Sequence, residues 1–68
     1  MSTPSWAIGM RRIAPGLYVD NREALHIDTP TFCAANGYPP TQHNIEMLER
    51  AAREMFPGVE VTMEDQKP

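Results

Sequence analysis

The stretch LHIDTPTFCAANGYPPTQHNIEMLERAAREMFPG, residues 25–58, passes from an alternating pattern into two successive helical patterns and then a stop signal. The alternation of apolar and polar residues in LHID predicts a strand with one buried face. Thr29 and Pro30 then predict a helix start, because threonine caps free amides and proline at the first helical position loses no hydrogen bond. Gly37 predicts its end. The stretch therefore predicts a strand followed by two helices.

The second helix is predicted to run from a cap at Thr41 to about Phe56. Its apolar residues recur at spacings of three and four and form one stripe: Ile45, Leu48, Ala52, Met55 and Phe56. The opposite side mixes acidic and basic residues, whereas a DNA-reading helix presents donors to phosphates and bases. The link NGYPPT is also longer than the turn of a helix-turn-helix motif. We therefore interpret both helices as scaffold packed on a sheet.

Two further alternating segments flank the helices. After a turn at Pro15-Gly16, LYV predicts a strand that pairs with LHID, because placing Leu17 opposite Ile27 and Val19 opposite Leu25 keeps all four apolar side chains on one face. Beyond the second helix, VEVTMED alternates again and predicts a third strand.

These elements predict an α+β fold, a two-layer β-β-α-α-β arrangement with a three-stranded, mainly antiparallel sheet of order 2-1-3 and both helices on one face. We expect residues 1–12 to form a loosely structured N-terminal arm, 13–65 a single domain and 66–68 a flexible tail. The predicted core contains Leu17, Val19, Leu25, Ile27, Phe32, Ile45, Leu48, Ala52, Met55, Phe56, Val59 and Val61.

The composition narrows the function classes. A chain of 68 residues is at most one small domain, and its net charge of -3 argues against general attraction to nucleic acid. The single cysteine excludes an intrachain disulfide and fits a reducing compartment. No apolar run approaches the roughly 20 residues of a membrane span. We expect a cytoplasmic protein with no membrane partner.

Few residues in the sequence are candidates for catalysis or for binding a metal or a phosphate. Cys33 near the start of a helix could be a thiol nucleophile, but its candidate base, His26, is predicted to project from the opposite side of the sheet. The two histidines and one cysteine lack the paired spacing of zinc ligands, and the four glycines stand apart rather than forming a phosphate loop. We therefore expect no catalytic residue, no cofactor and no metal site; a small thiol enzyme acting through Cys33 is the less favoured alternative.

The sheet face away from the helices is the remaining candidate surface. It is predicted to carry Tyr18 beside His26, with Asp20 and Thr62 nearby, and such a face either meets water or binds a partner. We expect a small non-enzymatic interaction or regulatory module that binds a protein partner, or itself as a homodimer, through the sheet face or a sheet edge. The alternative is a nucleic-acid-associated regulator that uses Arg11, Arg12 and Trp6.

Overall fold

The protein, described here by a computed structural model over residues 3–64, has an α+β fold with a four-stranded mixed sheet and two α-helices. A 3-10 turn at Ser5–Ala7 precedes the regular elements. These are β1 Arg11–Ala14, β2 Leu17–Val19, β3 Leu25–Asp28, α1 Thr29–Ala35, α2 Gln42–Met55 and β4 Val61–Glu64. The predicted class, helices combined with a small sheet, is confirmed.

The strand count and the strand order differ from the prediction. The sheet has the order β1-β2-β3-β4, in which β4 lies beside β3 and runs parallel to it, while the other neighbours are antiparallel. The predicted three strands in the order 2-1-3 are therefore wrong. The place beside β2 that the prediction gave to the last strand is occupied by β1, whose sequence RRIA lacks the alternation by which a strand is recognised.

The predicted pairing between β2 and β3 is confirmed. Leu17 lies opposite Ile27 and Val19 opposite Leu25, so the four apolar side chains share one face. β4 adds Val61 beside Leu25, and Ala52 of α2 packs against this face. The partly buried residues around that core are Leu17, Val19, Phe32, Leu48 and Met63. Both helices thus contribute to a single apolar layer on one side of the sheet.

Three residues predicted to be in the core are exposed instead. The exposed fractions are 71% for Met55, 40% for Phe56 and 37% for Val59. α2 begins as predicted, with the Thr41 side chain accepting a hydrogen bond from the Asn44 amide at 3.2 Å. The strand, however, begins only at Val61, so Val59 lies in the loop between α2 and β4, next to the exposed end of the helix.

Gly16 in the turn between β1 and β2 allows α1 to approach the sheet closely. Its φ of +82° is one that other residues rarely adopt, and a Cβ there would lie 2.7 Å from the backbone nitrogen of Phe32. Its carbonyl oxygen accepts a hydrogen bond from the Asp28 amide at 2.8 Å. The glycine therefore joins the hairpin, the end of β3 and the start of α1.

The predicted boundary between residues 12 and 13 lies inside β1, which begins at Arg11. The division into arm, domain and tail stays a prediction, and the tail at 66–68 is outside the described residues. Within 3–64, no helix has the length and apolar character needed to cross a bilayer.

Candidate functional site

The sheet face away from the helices carries a row of aligned residues. Tyr18, His26 and Thr62 are register partners on β2, β3 and β4, and Arg12 extends the row onto β1. Residues at matching positions on adjacent strands share a face, so these side chains lie on the side opposite the aliphatic core. The sequence prediction placed Tyr18, His26 and Thr62 together, and the structure brings them together.

His26 is held between two carboxylates, which we call the His26 cluster (Asp20, His26 and Glu64). Its Nε2 lies 2.8 Å from Oδ2 of Asp20, and its Nδ1 lies 2.9 Å from Oε2 of Glu64. Both ring nitrogens can donate only when the imidazole is protonated. The cluster joins the loop after β2 to β3 and β4, so the fourth predicted site residue, Asp20, also belongs to this surface.

The contacts of the His26 cluster shift two pKa values in opposite directions. Burial of the imidazole opposes its charge, but hydrogen bonds and attraction from Asp20 and Glu64 outweigh that effect, so the pKa of His26 lies above its ordinary 6.5. The hydrogen bond with His26, reinforced by those from the amides of Ala24 and Arg22, lowers the pKa of Asp20 from 3.8 to about 2. The cluster therefore favours an imidazolium between two carboxylates.

Trp6 covers the centre of this row. Its ring meets Tyr18 edge-on, with centroids 5.3 Å apart, and stacks over His26 at 6.1 Å with an interplanar angle of 29°. Tyr18 is only 7% exposed as a result, which the sequence reasoning did not anticipate for a face predicted to be open. Partner binding by Tyr18, His26, Asp20 and Thr62 stays a prediction, and a partner would reach Tyr18 only after displacing Trp6.

The outer edge of β1 is a second candidate surface. β1 has one neighbour in the sheet, and its register slips between Arg12 and Ala14, so Ile13 is an extra residue without a partner on β2. Ile13 is 50% exposed and borders a groove of about 170 Å³. The groove is lined by Arg11, Ile13, Val19, Glu23, Leu25, Phe56 and Val59. Ile13 was missed in the sequence because RRIA lacks the alternation that predicts a strand.

The other edge of the sheet, at β4, is less accessible. Nη2 of Arg53 on α2 lies 3.5 Å from the Val61 carbonyl oxygen, and the residues of β4 are buried or partly buried, whereas the first three residues of β1 are exposed. By contrast, none of the ion pairs found within residues 3–64 includes Arg11 or Arg12, and both side chains are exposed. The two edges therefore differ in cover and in charge.

Cys33 lies on the helix side of the sheet. It is 2% exposed and borders an apolar cavity of about 310 Å³ between α1 and α2, whose lining is Phe32, Cys33, Tyr38, Asn44, Met47, Leu48 and Ala51. His26 projects from the other face, so the thiol and the imidazole are on different sides. In the part of the chain that the structure describes, no three or more His, Cys, Asp or Glu side chains are grouped so as to hold a metal ion.

No family model matches the sequence, and comparisons with curated proteins and with solved structures found no significant match. The geometry of the sheet is therefore the basis for a functional proposal.

Proposed function

We propose that the protein is a small, non-enzymatic, cytoplasmic interaction module that binds a protein partner, or a second copy of itself, through its sheet. The observation that carries this proposal is the outer edge of β1, which pairs with no strand in residues 3–64 and lies beside an exposed apolar groove. An unpaired strand edge presents backbone donors and acceptors to any strand that aligns with it.

The apolar surface next to β1 supports the same proposal. Ile13, Phe56 and Val59 are each more than a third exposed and border one groove. Added strands gain affinity from backbone hydrogen bonds and specificity from pockets that take alternate side chains. A chain of 68 residues also has little core, and association is a common means of stabilising small domains.

The non-enzymatic part of the proposal is supported by the state of the two reactive side chains. Both nitrogens of His26 are engaged by carboxylates, so neither is free to exchange a proton with a substrate. Cys33 is buried against apolar residues, an environment typical of structural cysteines. The lone cysteine also fits a reducing compartment, which supports a cytoplasmic location.

The test compares two isoleucines. Ile13→Lys places a charge at the β1 edge, whereas Ile8→Lys makes the same chemical change at a residue that is 74% exposed and lies outside the strands. Light scattering over a concentration series measures self-association, and affinity capture from the source cells measures binding to other proteins. We expect the wild type and Ile8→Lys to form the same complex and Ile13→Lys to lose it.

Thermal unfolding of both variants checks that the fold is retained. A wild-type chain that stays monomeric and captures no protein contradicts the proposal. So does a complex that Ile13→Lys forms as well as Ile8→Lys.

A further inference from the structure

The β1 edge carries an unbalanced positive charge in a chain whose net charge is -3. Arg11 and Arg12 are adjacent and exposed, and within residues 3–64 no carboxylate forms an ion pair with either guanidinium. Arg11 is aligned with Val19 and Arg12 with Tyr18, so the two arginines flank the edge on opposite faces of the sheet. A strand added at this edge would therefore meet a positive charge on each of its own two faces.

The groove adds an apolar requirement on one of those faces. Arg11 and Ile13 line it together with Val19, Phe56 and Val59, and among residues 3–64 Glu23 is the single acidic residue in its wall. Its volume is about 170 Å³, so it has room for an apolar side chain. The surface thus combines a backbone edge, an apolar groove and two guanidinium groups that form no ion pair with the described residues.

A second copy of this chain is a poor occupant. Pairing β1 with β1 of another copy would bring four arginines together, and like charges on neighbouring strands destabilise a sheet. Pairing β1 with β4 of another copy would use an edge at which Arg53 contacts Val61 and the residues are buried or partly buried. Such a pairing of β1 with β4 would also be a head-to-tail contact, which leaves one β1 edge and one β4 edge unpaired in a dimer.

We propose that the β1 edge binds an extended acidic segment of another protein, which adds to the sheet as a strand, sets carboxylates against Arg11 and Arg12, and places one apolar side chain in the groove beside Ile13. This inference rests on the proposed function and specifies its partner. Charge complementarity of this kind governs which partner is accepted, and it weakens as salt screens the charges.

The experiment titrates the full chain, labelled with ¹⁵N, with synthetic peptides of equal length that alternate Glu and Val, Lys and Val, or Ser and Val. We expect the Glu/Val peptide to shift the amide signals of Arg11–Ala14 and Val59 most strongly, and to bind about tenfold more tightly than the Ser/Val peptide, the ratio that a difference of about 1.4 kcal/mol produces. Raising the salt concentration is expected to reduce this preference.

Matched variants locate the charge effect. Arg11→Gln and Arg12→Gln are each expected to weaken binding of the Glu/Val peptide by about threefold to fivefold, a size typical of exposed charge pairs. Arg50→Gln removes the same charge from an exposed position on α2 and is expected to leave the affinity unchanged. Equal weakening by Arg50→Gln would overturn the assignment of the contact to β1.

Other outcomes separate this inference from the proposed function. Lys/Val binding at β1 as tight as Glu/Val would overturn the acidic partner but leave strand addition, and with it the proposed function, standing. No shift in Arg11–Ala14 with any peptide would overturn the inference, while the Ile13→Lys comparison would still decide the proposed function. If a single-stranded oligonucleotide binds more tightly than the Glu/Val peptide, the inference is overturned in favour of nucleic acid. If the amide signals of β1 shift with protein concentration in the absence of any peptide, it is overturned in favour of a second copy.

Discussion

The two faces of the sheet are built from the same strands but are covered in different ways. On one face, Leu25, Ile27 and Val61 pack beneath two helices. On the other, Tyr18 and His26 lie beneath the ring of Trp6. The first face depends on filling volume with aliphatic groups, whereas the second depends on ring geometry and on the protonation of one imidazole.

Because of this difference, we expect the free energy of unfolding to depend on side-chain volume at one face and on pH at the other. Aliphatic packing responds to the loss of methyl groups and is nearly independent of pH. A cluster of ionisable groups responds to pH and to changes in charge. Substitutions on the two faces should therefore differ in both size and pH dependence.

The largest effect is expected for Ile27→Ala. Ile27 is 1% exposed at the centre of the helix-covered face, and truncation of a buried isoleucine typically costs about 2–5 kcal/mol. Urea unfolding followed by circular dichroism measures the loss. Ile13→Ala is the control, because that side chain is half exposed and its truncation should cost no more than about 0.5 kcal/mol. Equal losses in the two variants would contradict the assignment of the core.

A smaller effect is expected for Gly16→Ala. The new Cβ would lie 2.7 Å from the backbone of Phe32 and would force a left-handed φ on alanine, so we expect a loss of about 2–4 kcal/mol. Gly37→Ala meets the same φ penalty with nothing within 4 Å of the Cβ, so its loss should be about 1–2 kcal/mol. The difference between the two variants in urea unfolding isolates the close approach of α1. Equal losses in the two variants would mean that α1 can move away from the new Cβ at no cost in stability.

On the other face, Trp6→Ala is expected to cost about 1–2 kcal/mol, from the lost aromatic contacts and the apolar area that they cover. The ring signals of Tyr18 and His26 in NMR spectra should shift as both rings become accessible. Tyr38→Ala is the control, because Tyr38 is an exposed aromatic residue on the link between the helices. Unchanged Tyr18 and His26 signals in Trp6→Ala would show that Trp6 does not cover this face.

The smallest effect concerns pH. Because the pKa of His26 is raised in the folded chain, its stabilising contribution is complete below pH 6.5 and is lost as the pH rises through the folded-state pKa. Asp20 works in the opposite sense: its contribution is complete above pH 3.8 and is lost as the pH falls toward about 2. The urea midpoint of the wild type should therefore decline on both sides of a plateau at mildly acidic pH.

Two variants test this pH dependence. Asp20→Asn should lower the pKa of His26, measured from its imidazole proton signal by NMR, because it removes one of the two carboxylates. His26→Gln should flatten the decline on the alkaline side, while His43→Gln, at an exposed position on α2, should leave it in place. A decline that persists unchanged in His26→Gln would contradict the role of the cluster.

The local features of the fold could be predicted from the sequence. The pairing of Leu17 with Ile27 was predicted from alternation, since a register shifted by one residue would turn half of the apolar residues toward water. The start of α2 follows from the chemistry of Thr41. Alternation also placed Tyr18, His26 and Thr62 on one face, because it fixes the direction of each side chain.

The remaining features depend on contacts that no local pattern encodes. β1 escaped prediction because two arginines and a bulge at Ile13 hide the alternation. The parallel pairing of β4 with β3 was missed because an alternating segment does not reveal its direction or its neighbour. The hydrogen bond between His26 and Glu64 depends on that pairing, so it could not be predicted before the strand order was known.

The parallel pairing of β3 with β4 has a consequence for synthesis on the ribosome. β3 ends at Asp28 and its neighbour begins only at Val61, so the hairpins formed by β1, β2 and β3 can assemble well before the sheet is complete. Until β4 is translated, β3 keeps an open edge and Leu25 lacks its neighbour Val61. A strand edge left open in this way is prone to misassociation. Pairing with β4 closes that edge and also brings Glu64 to His26, so the same strand completes both faces of the sheet.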